Sequence, residues 1–198
     1  MITLNEHIKE SLLDNEDEVM DRYDPRESIK KFIENNYYYG IKLDISDKAN
    51  KNGKYEVSCY GDVEIENKKL TSLTNGLFEW GEIRGSFDCD DCSSLKSLEG
   101  APKEVKYFFC RHCNSLKSLE GAPRKVNGSF YCTGCSSLKS LEGAPEIVGI
   151  SFYCNKCSSL KSLKGAPKKI SEDFNCSYCS KLTSLEGAPK CRKIISDL

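Results

Sequence analysis

Ten of the twelve cysteines in this 198-residue chain come as Cys-x-x-Cys pairs: Cys89/Cys92, Cys110/Cys113, Cys132/Cys135, Cys154/Cys157 and Cys176/Cys179. Successive pairs lie 17 or 18 residues apart, which is the spacing of a four-thiolate zinc site. A single pair with an exposed thiolate at a helix start would serve redox chemistry instead. Other catalytic signals are sparse. The chain holds two histidines, His7 and His112, with no recognisable nucleophile-base grouping and no phosphate loop, so a non-enzymatic protein without a cofactor is expected.

The pairs are embedded in a frame that must be explained with them. CSSLKSLEGAP from Cys92 recurs as CNSLKSLEGAP, CSSLKSLEGAP, CSSLKSLKGAP and CSKLTSLEGAP from Cys113, Cys135, Cys157 and Cys179, at steps of 21, 22, 22 and 22 residues. A period in this range marks a solenoid. Each unit is too small to bury its own apolar face, so neighbouring units must stack into one continuous core.

Stacking changes the reading of the thiols. With Phe130 and Cys132 at inward positions of a short strand, residue 131 points outward and Cys135 falls where the turn closes, so both sulfurs face the core. Free cysteine packs there as a small hydrophobe. Zinc needs four ligands about 2.3 Å from one point, whereas a ladder spreads equivalent positions about 4.8 Å apart. Core packing is therefore favoured and no metal is expected, with zinc and redox pairs as the alternatives. His112 reads as a turn residue.

Three parts position the repeats. Residues 1–36 form an N-terminal helical segment: Thr3 and Glu6 make a capping box before Leu4, Ile8 and Leu12, an acidic run DNEDEVMDRYD intervenes, and Asp24-Pro25-Arg26-Glu27 opens a second helix carrying Ile29, Phe32 and Ile33. Residues 37–85 form a β-rich cap and a degenerate first repeat. Here Ile41, Leu43 and Ile45 alternate, Asn52-Gly53 turns a hairpin, Tyr55, Val57 and Cys59 alternate again, and Leu70, Ser72, Leu73 and Gly76 keep part of the repeat. Residues 86–198 are five regular repeats and a closing segment. Gly100, Gly121, Gly143, Gly165 and Gly187, before each Ala-Pro, mark turns with positive φ or close backbone approach. The expected class is α+β.

Charge is uneven along the chain. Residues 1–85 hold 12 Lys and Arg against 18 Asp and Glu, and residues 86–198 hold 17 against 12. No apolar run reaches the roughly 20 residues of a membrane span, and the start lacks a signal peptide's apolar stretch. A cytoplasmic protein with reduced cysteines is expected, without a membrane partner.

The unit V-x(2,3)-F-x-C-x-x-C-x-x-L-x-S-L-x-G-A-P resembles a leucine-rich repeat over residues 70–190: Val105, Phe108 and Cys110 match its first leucine positions and Cys113 its Asn/Cys position. Its S-L-x-G-A-P end is similar to that of short repeats in effectors that pathogenic bacteria inject into host cells, whose enzymatic activity is not carried over because no matching catalytic segment follows the repeats. The opening LNEHIKESLLDNEDE and the cysteine-bearing units also resemble repeat proteins encoded by large bacteriophages of gut bacteria. These resemblances imply a parallel sheet face that binds protein. The second implies a phage-encoded inhibitor, in the host cytoplasm, of a host defence protein such as a CRISPR nuclease.

Outward positions of the strand carry the candidate site. Asp88, Phe109, Tyr131, Tyr153 and Asn175 follow the inward phenylalanines, Ser86, Tyr107, Ser129, Ser151 and Asp173 precede them, and Asp90, Arg111, Thr133, Asn155 and Ser177 follow the first cysteines. Tyr107, Phe109, Arg111, Tyr131 and Tyr153 thus form an aromatic patch beside a cation, the composition of a protein interface centre. Mutual covering along the ladder is the plainer reading of the rings. Lys96, Lys117, Lys139 and Lys161 form a basic row with Glu99, Glu120 and Glu142 beside it, which reads as a charge-paired, solvated surface. A protein-binding module is the leading expectation. Nucleic-acid binding is disfavoured; with zinc binding and a structural role in a virus particle it forms the alternatives.

Overall fold

The computed structural model describes residues 24–198 apart from residue 41. The capping box at Thr3, the stripe Leu4/Ile8/Leu12, the acidic run before Asp24, His7 and the alternation at Ile41 lie outside the described residues.

Helix α1, Pro25–Asn36, begins as its sequence dictates. The Asp24 carboxylate accepts from the Arg26 main-chain N–H at 2.9 Å, Pro25 occupies the first turn, and Ile29 and Ile33 are fully buried. Strands β1 (Tyr37–Tyr39), β2 (Leu43–Ile45), β3 (Tyr55–Cys59), β4 (Val63–Ile65) and β5 (Phe78–Ile83) follow. β2 and β3 are an antiparallel hairpin, and β5 joins β3 in parallel to complete a three-stranded sheet. The hairpin loop is closed by Asn50, whose side chain accepts from the Asn52 and Lys54 N–H groups, with Gly53 at φ 72°.

Beyond this segment the chain winds as stacked parallel coils, a β-solenoid. One side of the coils is formed by β6 (Ser86–Asp88), β8 (Tyr107–Phe109), β10 (Phe130–Tyr131), β12 (Phe152–Tyr153), β13 (Asp173–Asn175) and β14 (Lys193–Ile195). With β1 and β4 at one end they make an eight-stranded sheet, parallel except for the β1/β4 pair. A second side carries β7 (Glu104–Val105), β9 (Lys125–Val126) and β11 (Ile147–Val148), also parallel. The third side, Leu-x-x-Leu, has no strand, yet its coils are still joined by main-chain bonds such as Leu119 N–H to Glu142 O at 2.8 Å.

The repeat frame now has a physical account. Each coil contributes one residue to each inward ladder: Val105/Val126/Val148/Ile170, Phe87/Phe108/Phe130/Phe152/Phe174, two cysteine ladders and two leucine ladders, nearly all fully buried. The phenylalanine rings stack at centroid distances of 5.6, 5.3, 5.1 and 5.8 Å. At the Phe87 end the stack meets Tyr37 and Trp80 at 6.2 and 5.7 Å, and both donate to the Leu73 carbonyl. Gly100, Gly121, Gly143, Gly165 and Gly187 take φ between 84° and 90°, closing the turns after the second leucine.

The stretch Val105-x-x-Phe108-x-Cys110 is two short strands on different sides of the coil, broken at Lys106. Where an α+β class is expected, helix content is one short helix among the described residues, so strands dominate.

Candidate functional site

Each Cys-x-x-Cys pair brackets a tight turn. The residue before the second cysteine has positive φ in every pair: Asp91 59°, His112 56°, Gly134 75°, Lys156 60° and Tyr178 56°. This left-handed residue reverses the chain, so both thiols point inward while the turn tip points to solvent. The second cysteine of each later pair donates its S–H to the carbonyl of the first cysteine one coil earlier: Cys113 to Cys89 at 3.1 Å, Cys135 to Cys110 at 3.0 Å, Cys157 to Cys132 and Cys179 to Cys154 at 3.2 Å. The position filled by Asn or Cys in the repeat pattern thus serves as a hydrogen-bond ladder.

All twelve cysteines are free thiols, and only Cys191 escapes full burial. Desolvation pushes Cys89, Cys110, Cys132 and Cys154 well above the ordinary thiol value, and raises Cys92 and Cys179 to about 12 and Cys176 to about 11. These groups are protonated packing atoms at neutral pH. Among the described residues no three His, Cys, Asp or Glu side chains gather as a metal ion would require.

The outer face of the long sheet carries the aromatic row. Phe109, Tyr131 and Tyr153 are paired in register on β8, β10 and β12. Phe109 and Tyr131 stack at 4.8 Å with planes 13° apart, and Tyr107 lies 6.4 Å from Phe109. The rings are half-buried because they cover one another, while Phe108, Phe130 and Phe152 are fully buried. Gly128 is needed beside them: a Cβ there would fall on the Tyr107 ring.

Arg111 ends the row. Its guanidinium stands 5.3 Å from the Phe109 ring centre and is clamped by Asp90, which also accepts from the Arg111 main-chain N–H at 2.6 Å. Asp90 is nearly buried, and this bond holds the Arg111 pKa above its usual value. Burial raises the Asp88 carboxyl, which accepts from the Asp90 N–H at 2.8 Å. On the other flank Ser129 and Ser151 are buried and accept main-chain N–H bonds from Ser151 and Asp173 at 3.2 and 3.1 Å.

The structure brings Tyr107, Phe109, Arg111, Tyr131 and Tyr153 onto one face. Sequence reasoning missed the Asp90 clamp; its signal was an acid one coil before the arginine in the same row. It also expected the lysine row to pair with its neighbouring glutamates, and the geometry differs. Glu142 pairs with Lys164 at 2.8 Å, one coil away, and Lys125–Glu104, Arg124–Glu146 and Arg192–Glu172 likewise join neighbouring coils. His112 is at a turn tip, its ring against Gly134.

Comparison of the chain with protein-family models, with curated proteins and with solved structures gives no match. Among the described residues no helix is long and apolar enough to cross a membrane.

Proposed function

We propose that this chain is a non-enzymatic, leucine-rich-repeat-type solenoid whose long sheet face binds a protein partner. Helix α1 and strands β1–β5 act as the cap over the first layer. The observation that carries the reading is the Phe109–Tyr131–Tyr153 stack with Arg111 locked at its end by Asp90. Aromatic rings and arginine are the groups that dominate interface energies. These are held in one geometry before any partner arrives, which lowers the ordering cost of association.

The plainer role, rings covering rings, accounts for the stacking and leaves the phenols unexplained. Tyr131 and Tyr153 are half-exposed on the outer face of the sheet, and phenylalanine would stack as well without their hydroxyls. A row of hydroxyl donors on a rigid apolar strip suits acceptors of an incoming chain. The phage resemblance extends the proposal to a host protein as partner, with inhibition of a defence nuclease as its use.

The test is capture from a bacterial host lysate with the native chain and with the Tyr131→Ala/Tyr153→Ala variant in parallel, followed by mass spectrometry. A protein retained by the first and lost from the second, while both melt cooperatively, supports the reading. Equal retention places the contact surface elsewhere.

A further inference from the structure

The strandless side of the coils carries Lys96, Lys117, Lys139 and Lys161 at equivalent places, bounded by Thr71 and Thr183 in the outer coils. Lys139 N–H bonds to Lys117 O at 3.2 Å and Lys161 N–H to Lys139 O at 3.1 Å, so the row is fixed coil upon coil. All four side chains are exposed, and none joins an ion pair among the described residues. Among the described residues of the repeats Arg111, Arg124, Lys125, Lys164 and Arg192 each meet a carboxylate, whereas the four lysines of the row stay unpaired, as Lys103, Lys156 and Lys168 also do; what sets the row apart is its regular stacking on one side of the coils. Beside the row run small hydroxyl side chains, Ser94/Ser115/Ser137/Ser159 and Ser97/Ser118/Ser140/Ser162, which leave room for a thick ligand to approach the ammoniums.

We propose that this lysine row is a second binding site, taking the phosphate backbone of duplex nucleic acid without reading its sequence. Three coil steps of about 4.8 Å place the four ammoniums along about 14 Å. Over that length one strand of a duplex presents about four phosphates, at roughly 3.4 Å of axis each. The charge density of a duplex therefore matches the row. The side has no aromatic ring on which an unpaired base could stack and no arginine fork for a base edge. Lysine acts as a point charge tolerant of register, as sequence-independent contact requires. The site is on a different side of the coil from the aromatic row and stands independently of it.

The experiment is fluorescence anisotropy of a labelled random-sequence 20-base-pair duplex with the full chain across a sodium chloride series. Four phosphate contacts predict a log-log salt slope of about −3.6, or about a 150-fold loss of affinity from 50 to 200 mM salt. Lys117→Gln/Lys139→Gln should weaken binding at 50 mM salt more than tenfold and bring the slope to about −1.8, with unchanged circular dichroism. Tyr131→Ala should bind the duplex as the native chain does. The proposal is overturned if the native chain does not bind the duplex at 50 mM salt, or if the double lysine variant binds undiminished. Displacement of the duplex by polyglutamate at equal charge concentration also overturns it, and assigns the row to acidic proteins.

Discussion

Tyr131 and Tyr153, paired in register on adjacent parallel strands, lie with ring centroids 4.8 Å apart and planes 5° from parallel. That separation is the strand spacing itself, so the stack forms without twisting either strand. Since Phe109 covers the other face of Tyr131 at 4.8 Å, Tyr131 offers solvent its edge and hydroxyl only. A ligand that must stack on an open ring face, such as a free base or a sugar, is poorly served at the middle of this row. A protein surface that meets edges and hydroxyls is well served.

Truncating either side of this sheet should separate function from stability. Phe130→Ala removes a fully buried ring from the inner stack and should cost about 3–5 kcal/mol. Tyr131→Ala removes a half-buried ring with two stacked neighbours and should cost about 1–2 kcal/mol. Guanidinium denaturation of the two variants checks the order. Equal losses would mean that the outer rings are as structural as the inner ones.

The two cysteines of a pair should respond differently to serine. At Cys135 the new hydroxyl can still donate to the Cys110 carbonyl, which the native thiol meets at 3.0 Å. Cys132 is fully buried with only the Cys157 thiol, a weak acceptor, beside its S–H, so Cys132→Ser buries a poorly satisfied hydroxyl at about 1–3 kcal/mol. Denaturant midpoints decide it: Cys135→Ser should remain closer to native than Cys132→Ser. The reverse order would remove the hydrogen-bond ladder as an explanation of the second cysteine.

Much of this arrangement was legible in the sequence because a solenoid converts period into position. Phe130 and Cys132 could be set inward and Tyr131 outward from the repeat alone, since a period of two within a strand and of 21 or 22 between strands leaves little freedom. The Asp24 cap was legible for the same local reason. What escaped were relations that depend on which coil touches which atom. The Arg111–Asp90 clamp and the Glu142–Lys164 pair join residues 21 and 22 positions apart, and sequence proximity suggested other partners. The left-handed residue inside the Cys-x-x-Cys turns was also hidden, because Asp, His, Lys and Tyr fill four of the five places and only Gly134 is a glycine.

The turn before Ala-Pro, by contrast, tolerates no side chain. Gly143 has φ 84°, and a Cβ there would fall on the main-chain nitrogen of Glu120 in the coil before. Gly143→Val should therefore lower the melting temperature far more than Lys139→Val, which alters an exposed side chain and should change stability by only about 0.5 kcal/mol. Thermal unfolding followed by circular dichroism gives the comparison, and similar melting points for the two variants would contradict it.

The buried thiols predict an alkaline limit to stability. In the folded chain Cys89, Cys92, Cys110, Cys132, Cys154, Cys176 and Cys179 all ionise above the ordinary thiol value of 9.0. In the unfolded chain they ionise at it. Above that value the folded state therefore holds more protons than the unfolded state, and stability falls as pH rises. Each such thiol contributes a slope of about 1.4 kcal/mol per pH unit once its unfolded form is ionised. Cys157, which the neighbouring Cys132 thiol holds below the ordinary value, works in the opposite sense, so the net slope is smaller than the number of raised thiols alone would give. The loss should begin near pH 9.0, and Cys176 should cease to add to it near about 11. Denaturant midpoints should stay level from about pH 7 to 8 and fall progressively above about pH 9, and Cys132→Ala should soften that fall. At neutral pH a thiol reagent should label only the half-buried Cys191 without denaturant. Rapid labelling of several cysteines in the native protein, or a midpoint indifferent to alkali, would show that these sulfurs are not the sealed packing atoms described.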